Sequence, residues 1–337
     1  MSLVERAVRR YEHYRWARDN NRRVLPFAWG LEHIGGPGDS ADPRAWLARW
    51  AEESVAHSEQ WYATGPADDY RLDGDLLTFT SAVGSPWPEN NTVYGRFFPA
   101  KTTGPAVLVL PHWNAKPEAY ISVCRWLNAL GITALRMSLP YHDRRGVPGH
   151  ERADQLVGPN IGLTLQANRQ AVLDARRCLR WLEQRGYTRI GLLGTSIGSS
   201  IGFITLCHDR GIRAGAFLHV STYFGDVVCT GLTTAHVWEG LRAGVSADEL
   251  HRFWAPISPF PYVSRLAGTT QRMLLISGTY DATFWPEFSA EIMAELKRHK
   301  VAYEAVLLPC GHYTLEVPPF SYIAGFRFGT FFFQHLS

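Results

Sequence analysis

In Gly194-Thr195-Ser196-Ile197-Gly198 a serine is held between two glycines at the junction of two unlike stretches. The apolar run 190–193 before it reads as a buried strand, and the stretch 201–204 after it reads as the first turns of a helix. A serine at a tight strand-to-helix turn adopts a strained backbone, which lifts its hydroxyl above the end of the sheet. Glycines flank it for a steric reason: strand and helix approach so closely that a Cβ on either side would collide. Ser196 is therefore the candidate nucleophile.

Before this motif, the periodicity predicts helices over 3–20 and 43–63, the second opened by Asp42-Pro43 as N-cap and first-turn proline. Strands are expected at 76–83 and 92–98, antiparallel across a Gly/Pro/Asn-rich loop, then at 107–110 and 132–137 with a helix at 118–130 between them. A long helix over 161–185 precedes the 190–193 strand. After the serine come a helix at 197–210, strands at 214–220 and 273–276, a helix at 287–299, a strand at 301–308 and an aromatic-rich terminal helix. From residue 105 onward strands alternate with helices, the pattern of a mainly parallel sheet covered on both faces. The reading gives an α/β fold with eight strands, a helical extension over 1–70 and a main domain over 71–337.

Composition narrows the function. The 337 residues include 46% hydrophobic and 19% charged residues, ordinary for a soluble globular protein. A net charge of +3 does not suit a nucleic-acid binder. Five cysteines without C-x-x-C or C-x-x-H spacing fit neither a disulfide framework nor a zinc site and point to a reducing, cytoplasmic setting. No 18-residue apolar run is present, and the start of the chain has no apolar signal core. Residues 1–23 carry seven arginines against three acids, which reads as an accessory helix rather than a membrane-surface one.

Ser196 needs a base, and the base needs an orienting acid. His312, in Leu308-Pro309-Cys310-Gly311-His312, follows the last predicted strand; Asp281, in Ser277-Gly278-Thr279-Tyr280-Asp281, follows the one before it. All three lie beyond the C-terminal ends of strands, so one edge of the sheet collects them. Asp226 and Glu287 are the rival acids. An oxyanion formed at Ser196 would take backbone N–H groups from Ile197 and from the loop after 107–110, where register favours Trp113, with Asn114 behind it. His112, His142 and His219 sit in loops on the same edge and are candidates for substrate contact; their spacing does not suit a metal. Arg144 and Arg145 could meet an anionic group.

With these motifs in place, the chain over 74–337 resembles the α/β-hydrolase superfamily, and within it the serine esterases of the dienelactone-hydrolase and acetyl-esterase kind. The resemblance rests on Gly194 to Gly198, the Asp281 segment and Gly311-His312. Where many members carry a His-Gly pair in the oxyanion loop, this chain has Pro111-His112. The resemblance implies a helical cap at 221–270, in which Trp238, Leu241, Leu250, Phe253 and Trp254 would pack. It implies a carboxylic-ester hydrolase acting on small-molecule esters through an acyl-enzyme, without metal or cofactor. It sets no oligomeric state, and membrane contact is not expected. A peptidase, a lipid acyl hydrolase and a non-catalytic ligand-binding member are the alternatives.

Overall fold

Burial along the central strands shows how the sheet forms. In β4 (Pro105–Leu110), Leu108 and Leu110 belong to one hydrophobic cluster, while Val107 and Val109 belong to another on the opposite face. Successive side chains point to opposite faces, so a strand buried on both sides must be apolar throughout. The structure, a computed structural model, describes residues 2–37, 42–101 and 103–336.

The sheet is formed by β1 (Arg71–Asp73), β2 (Leu76–Thr80), β3 (Thr92–Phe98), β4, β5 (Thr133–Met137), β6 (Arg189–Thr195), β7 (Ile212–Leu218), β8 (Arg272–Gly278) and β9 (Tyr303–Leu308). Their order is β1-β2-β3-β5-β4-β6-β7-β8-β9. Strands β5 to β9 and β4 run parallel, and β1, β2 and β3 add an antiparallel edge. The expected eight strands are therefore nine. The additional strand, β1, is three residues long and buries none of them fully, too short to leave a periodic signal.

Helices α1 (Leu3–Arg18), α2 (Pro43–Ala56) and α3 (Ser58–Trp61) precede the sheet; the single helix expected over 43–63 breaks at His57. Leu47 of α2 and Tyr62 are fully buried in the same cluster as Leu108. Helix α4 (Ile121–Ala129) and the last helix, α11 (Phe320–Leu336), cover one face of the sheet, and α5 (Ile161–Gln184) and α6 (Ile197–His208) cover the other. Helices α7 (Phe224–Thr230), α8 (Ala235–Leu241) and α9 (Ala247–Phe253) occupy the insertion between β7 and β8, and α10 (Pro286–Arg298) follows β8. Leu241, Leu250, Phe253 and Trp254 are fully buried there, while Trp238 is half-buried. In α11, Phe328, Phe331 and Phe332 are buried, but Phe326 and Phe333 are exposed, so the aromatic run covers only one side of its helix. Among the described residues, no helix is long and apolar enough to cross a membrane.

Candidate active site

Backbone strain marks the site. Among the described residues, seven non-glycine residues have positive φ, and six of them, Asn114, Tyr120, Tyr141, Asp143, Ser196 and His219, lie in loops at the C-terminal ends of β4, β5, β6 and β7. Such conformations cost about 1–3 kcal/mol each and persist where the surrounding structure enforces them.

Ser196 has φ 56° and ψ −123°, between β6 and α6. Its N–H donates to the Leu218 carbonyl at 2.9 Å. A Cβ added to Gly194 would strike the Gly198 carbonyl oxygen, and one added to Gly198 would strike that of Leu110, which is the steric reason for both glycines. The Ser199 hydroxyl is spent on the carbonyls of Gly194 and Leu218, at 2.8 and 2.5 Å. Ile197 opens α6, where an N–H has no acceptor within the helix.

Asp281 and His312 meet. His312 Nδ1 lies 3.1 Å from Asp281 Oδ2, while Asp281 Oδ1 accepts the backbone N–H groups of Thr283 and Phe284, both at 2.8 Å. The His312 ring stacks on Phe284 at 5.4 Å between centroids. Burial works against ionising Asp281, but the neighbouring His312 and His219 outweigh it and hold its carboxyl well below the usual range. Burial likewise works against a charged His312, but the Asp281 carboxylate wins and raises the imidazole above its ordinary value. Ser196 and His312 line one polar cleft. The rival acids stand elsewhere: Asp226 pairs with His251 at 2.9 Å, and Glu287 is exposed in the first turn of α10.

The three histidines expected at substrate separate. His112 lines the cleft. His142 is buried, with Nδ1 2.8 Å from the Pro140 carbonyl and Nε2 accepting the Asn114 N–H at 2.8 Å. Burial pushes its pKa down to about 4, so it is a neutral brace of the β4 loop and not a substrate contact. That bond also occupies the Asn114 N–H, the fallback donor in this loop. His219 does not reach the cleft either. It packs behind the pair, 4.3 Å from the His312 ring between centroids, with Nδ1 2.7 Å from Asp281 Oδ2. The contact lies off the N–H axis, and neither ring nitrogen makes an aligned hydrogen bond. Burial and the nearby His312 keep His219 below its ordinary value. Arg145 is fully buried on Asp174 at 2.8 Å, and Arg144 lies over the Tyr94 ring, so neither waits for an anion.

Further contributors, from the start of the chain and from the insertion, carry no signal in the sequence. Glu12, in the middle of the basic helix α1, is fully buried. Its carboxylate accepts the N–H groups of Tyr313 and Thr314, both at 2.9 Å, and the Thr314 hydroxyl at 3.0 Å. A Cβ on Gly311 would collide with it. Arg22 adds a hydrogen bond to the Tyr313 hydroxyl at 3.1 Å. The loop that presents His312 is thus clamped by the other end of the chain. In the insertion, His236 of α8 stacks on the Trp113 ring at 5.8 Å, and Thr233 lines the cleft. Arg152 sits on the Trp113 ring, 4.6 Å from its centroid.

Comparison with known proteins follows this geometry. No protein-family model and no curated protein matches the chain. Solved structures do. An acylaminoacyl peptidase of Pyrococcus horikoshii is 14% identical over 80% of this chain, with a TM-score of 0.59; this chain spans 42% of its length. An esterase of Pyrococcus furiosus is 17% identical over 80% of this chain and 92% of its own, with a TM-score of 0.55. A lipase in its open form is 12% identical over 76% of this chain and 97% of its own, also at 0.55. The chain has the α/β-hydrolase fold.

Proposed function

We propose that this chain is a serine hydrolase that cleaves small-molecule carboxylic esters through an acyl-enzyme, with Ser196 as nucleophile, His312 as base and Asp281 as the acid that orients it. With Nδ1 turned to Asp281, the His312 Nε2 takes the proton of Ser196 Oγ as that oxygen bonds to the ester carbonyl carbon. The carbonyl electron pair moves onto oxygen, where the N–H groups of Trp113 and Ile197 receive it. Collapse of this intermediate breaks the bond to the alcohol oxygen, which leaves with the proton from His312. Water then attacks the acyl-enzyme by the same route, and the acid departs.

The observation that carries this reading is one cleft lined by a serine in a strained turn and a histidine braced by a buried carboxylate. The test is labelling by an alkyl fluorophosphonate together with p-nitrophenyl ester hydrolysis. The wild type should label, and Ser196→Ala should lose the label and on the order of 10⁶-fold in turnover. Matched ester and amide substrates separate an esterase from a peptidase. A wild type that neither labels nor turns over would sink the proposal.

A further inference from the structure

Ser196 lines the polar cleft alone, but a neighbouring cavity reaches the residue before it. This second cavity, of about 760 Å³, lies between α4 and α11, on the face of the sheet away from α5 and α6. Small-molecule sites run from about 300 to 1,000 Å³. Its walls are apolar, chiefly Val123, Trp126, Leu218, Leu315, Phe326 and Phe328. Its inner end reaches Thr195, the residue before the nucleophile, and Leu218, whose carbonyl receives the Ser196 N–H at 2.9 Å. Its outer rim leaves Trp126 43%, Tyr322 74% and Phe326 62% exposed, a cluster of large apolar side chains kept in contact with solvent.

The two cavities touch. His112, Ala119 and Glu316 line both. His112 Nδ1 lies 2.9 Å from the Tyr120 hydroxyl and 3.2 Å from Glu316 Oε1, so these three side chains stand where the two cavities meet. His312 lines the polar cleft and not the apolar cavity. A leaving alcohol must take its proton from His312 and so belongs on the polar side. An acyl group bonded to Ser196 has apolar space beyond the residues the two cavities share, His112, Ala119 and Glu316.

Resting on the assignment of Ser196 as nucleophile, we propose that the apolar cavity between α4 and α11 receives the acyl chain, which makes the preferred substrates esters of medium- to long-chain fatty acids. Each methylene that leaves water for this cavity is worth up to about fourfold in kcat/KM. The gain should stop when the cavity is full.

The test is a p-nitrophenyl ester series from acetate to dodecanoate. For the wild type, kcat/KM should climb about 100-fold between acetate and octanoate. Gly325 lines the cavity, and a Cβ there meets nothing nearer than the Phe328 ring at 4.0 Å, so a larger side chain enters open space. Gly325→Trp and Val123→Trp should each cut the octanoate-to-acetate ratio about tenfold or more. Fluorophosphonate labelling reports whether each variant is folded and its serine competent. A wild type that labels but shows a flat chain-length profile overturns this inference and leaves the nucleophile in place. Failure to label overturns the reading it rests on. If Gly325→Trp changes the sedimentation coefficient and not the chain-length ratio, the apolar rim is a contact between copies of the chain, and the inference is overturned.

Discussion

The serine turn and the histidine loop line one cleft, yet they are held in opposite ways. The turn is assembled by five consecutive residues and their immediate strand neighbours: two glycines let α6 close over β6, and Leu218 on the adjacent strand takes the Ser196 N–H. The loop at 311–314 has a slighter local frame, the Gly311 N–H donating to the Thr314 hydroxyl. The N–H groups of Tyr313 and Thr314 end on Glu12, some 300 positions away in sequence. The turn is therefore a property of its own sequence, and the loop is a property of two distant segments docking correctly. Damage to α1 should loosen the base while leaving the nucleophile in its strained seat.

The sharpest way to break this contrast is at the acid. Asp281→Asn should lower kcat/KM about 10³–10⁴-fold, because His312 loses the carboxylate that selects its tautomer and stabilises its cation. The same variant should displace the pH profile. His312 accepts a proton only when neutral, and Asp281 raises its pKa above the ordinary 6.5. In the wild type, activity should thus fall as pH drops through a value above 6.5, and in the variant the acid limb should move to lower pH. Rate profiles from pH 5 to 9 check both; coincident limbs would remove Asp281 as the cause.

The next effect comes from the remote clamp. Glu12→Ala strips acceptors from two backbone N–H groups and a hydroxyl, at a cost of about 1–3 kcal/mol in urea unfolding. Turnover should fall about tenfold through misplacement of His312. Labelling of Ser196 should slow without vanishing, since the turn itself is untouched. Equal loss of melting temperature and no change in kcat would show that Glu12 is only structural.

The smallest effect distinguishes charge from contact. Glu12 also raises the His312 pKa through its charge, more weakly than Asp281 does. Glu12→Gln removes that charge and turns one acceptor into a donor facing an N–H. Its acid limb should move to lower pH by less than that of Asp281→Asn, as read in the same profiles.

What the sequence disclosed follows the same division. Ser196 was legible because glycine spacing, a strand and a helix coincide within about ten residues. Asp281 and His312 were legible because each follows its own strand, and parallel topology brings those ends together. His219 also ends a strand, but its φ of 62° carries the ring behind Asp281, and nothing local announces that. His142 misled for a related reason: a histidine in a rim loop looks available until its two nitrogens are found bonded to Pro140 and Asn114. Glu12 left no trace because one acid among arginines reads as a surface charge; its burial exists only once the loop at 313 is folded against it. The strand at 71–73 was missed because three residues make no period.

The strained seat of Ser196 has a consequence for how this chain can change. Glycine there would relieve the backbone, and selection for heat resistance alone would favour it. The same exchange would remove the hydroxyl that the turn lifts over the sheet. Durability and turnover thus pull against each other at this one position.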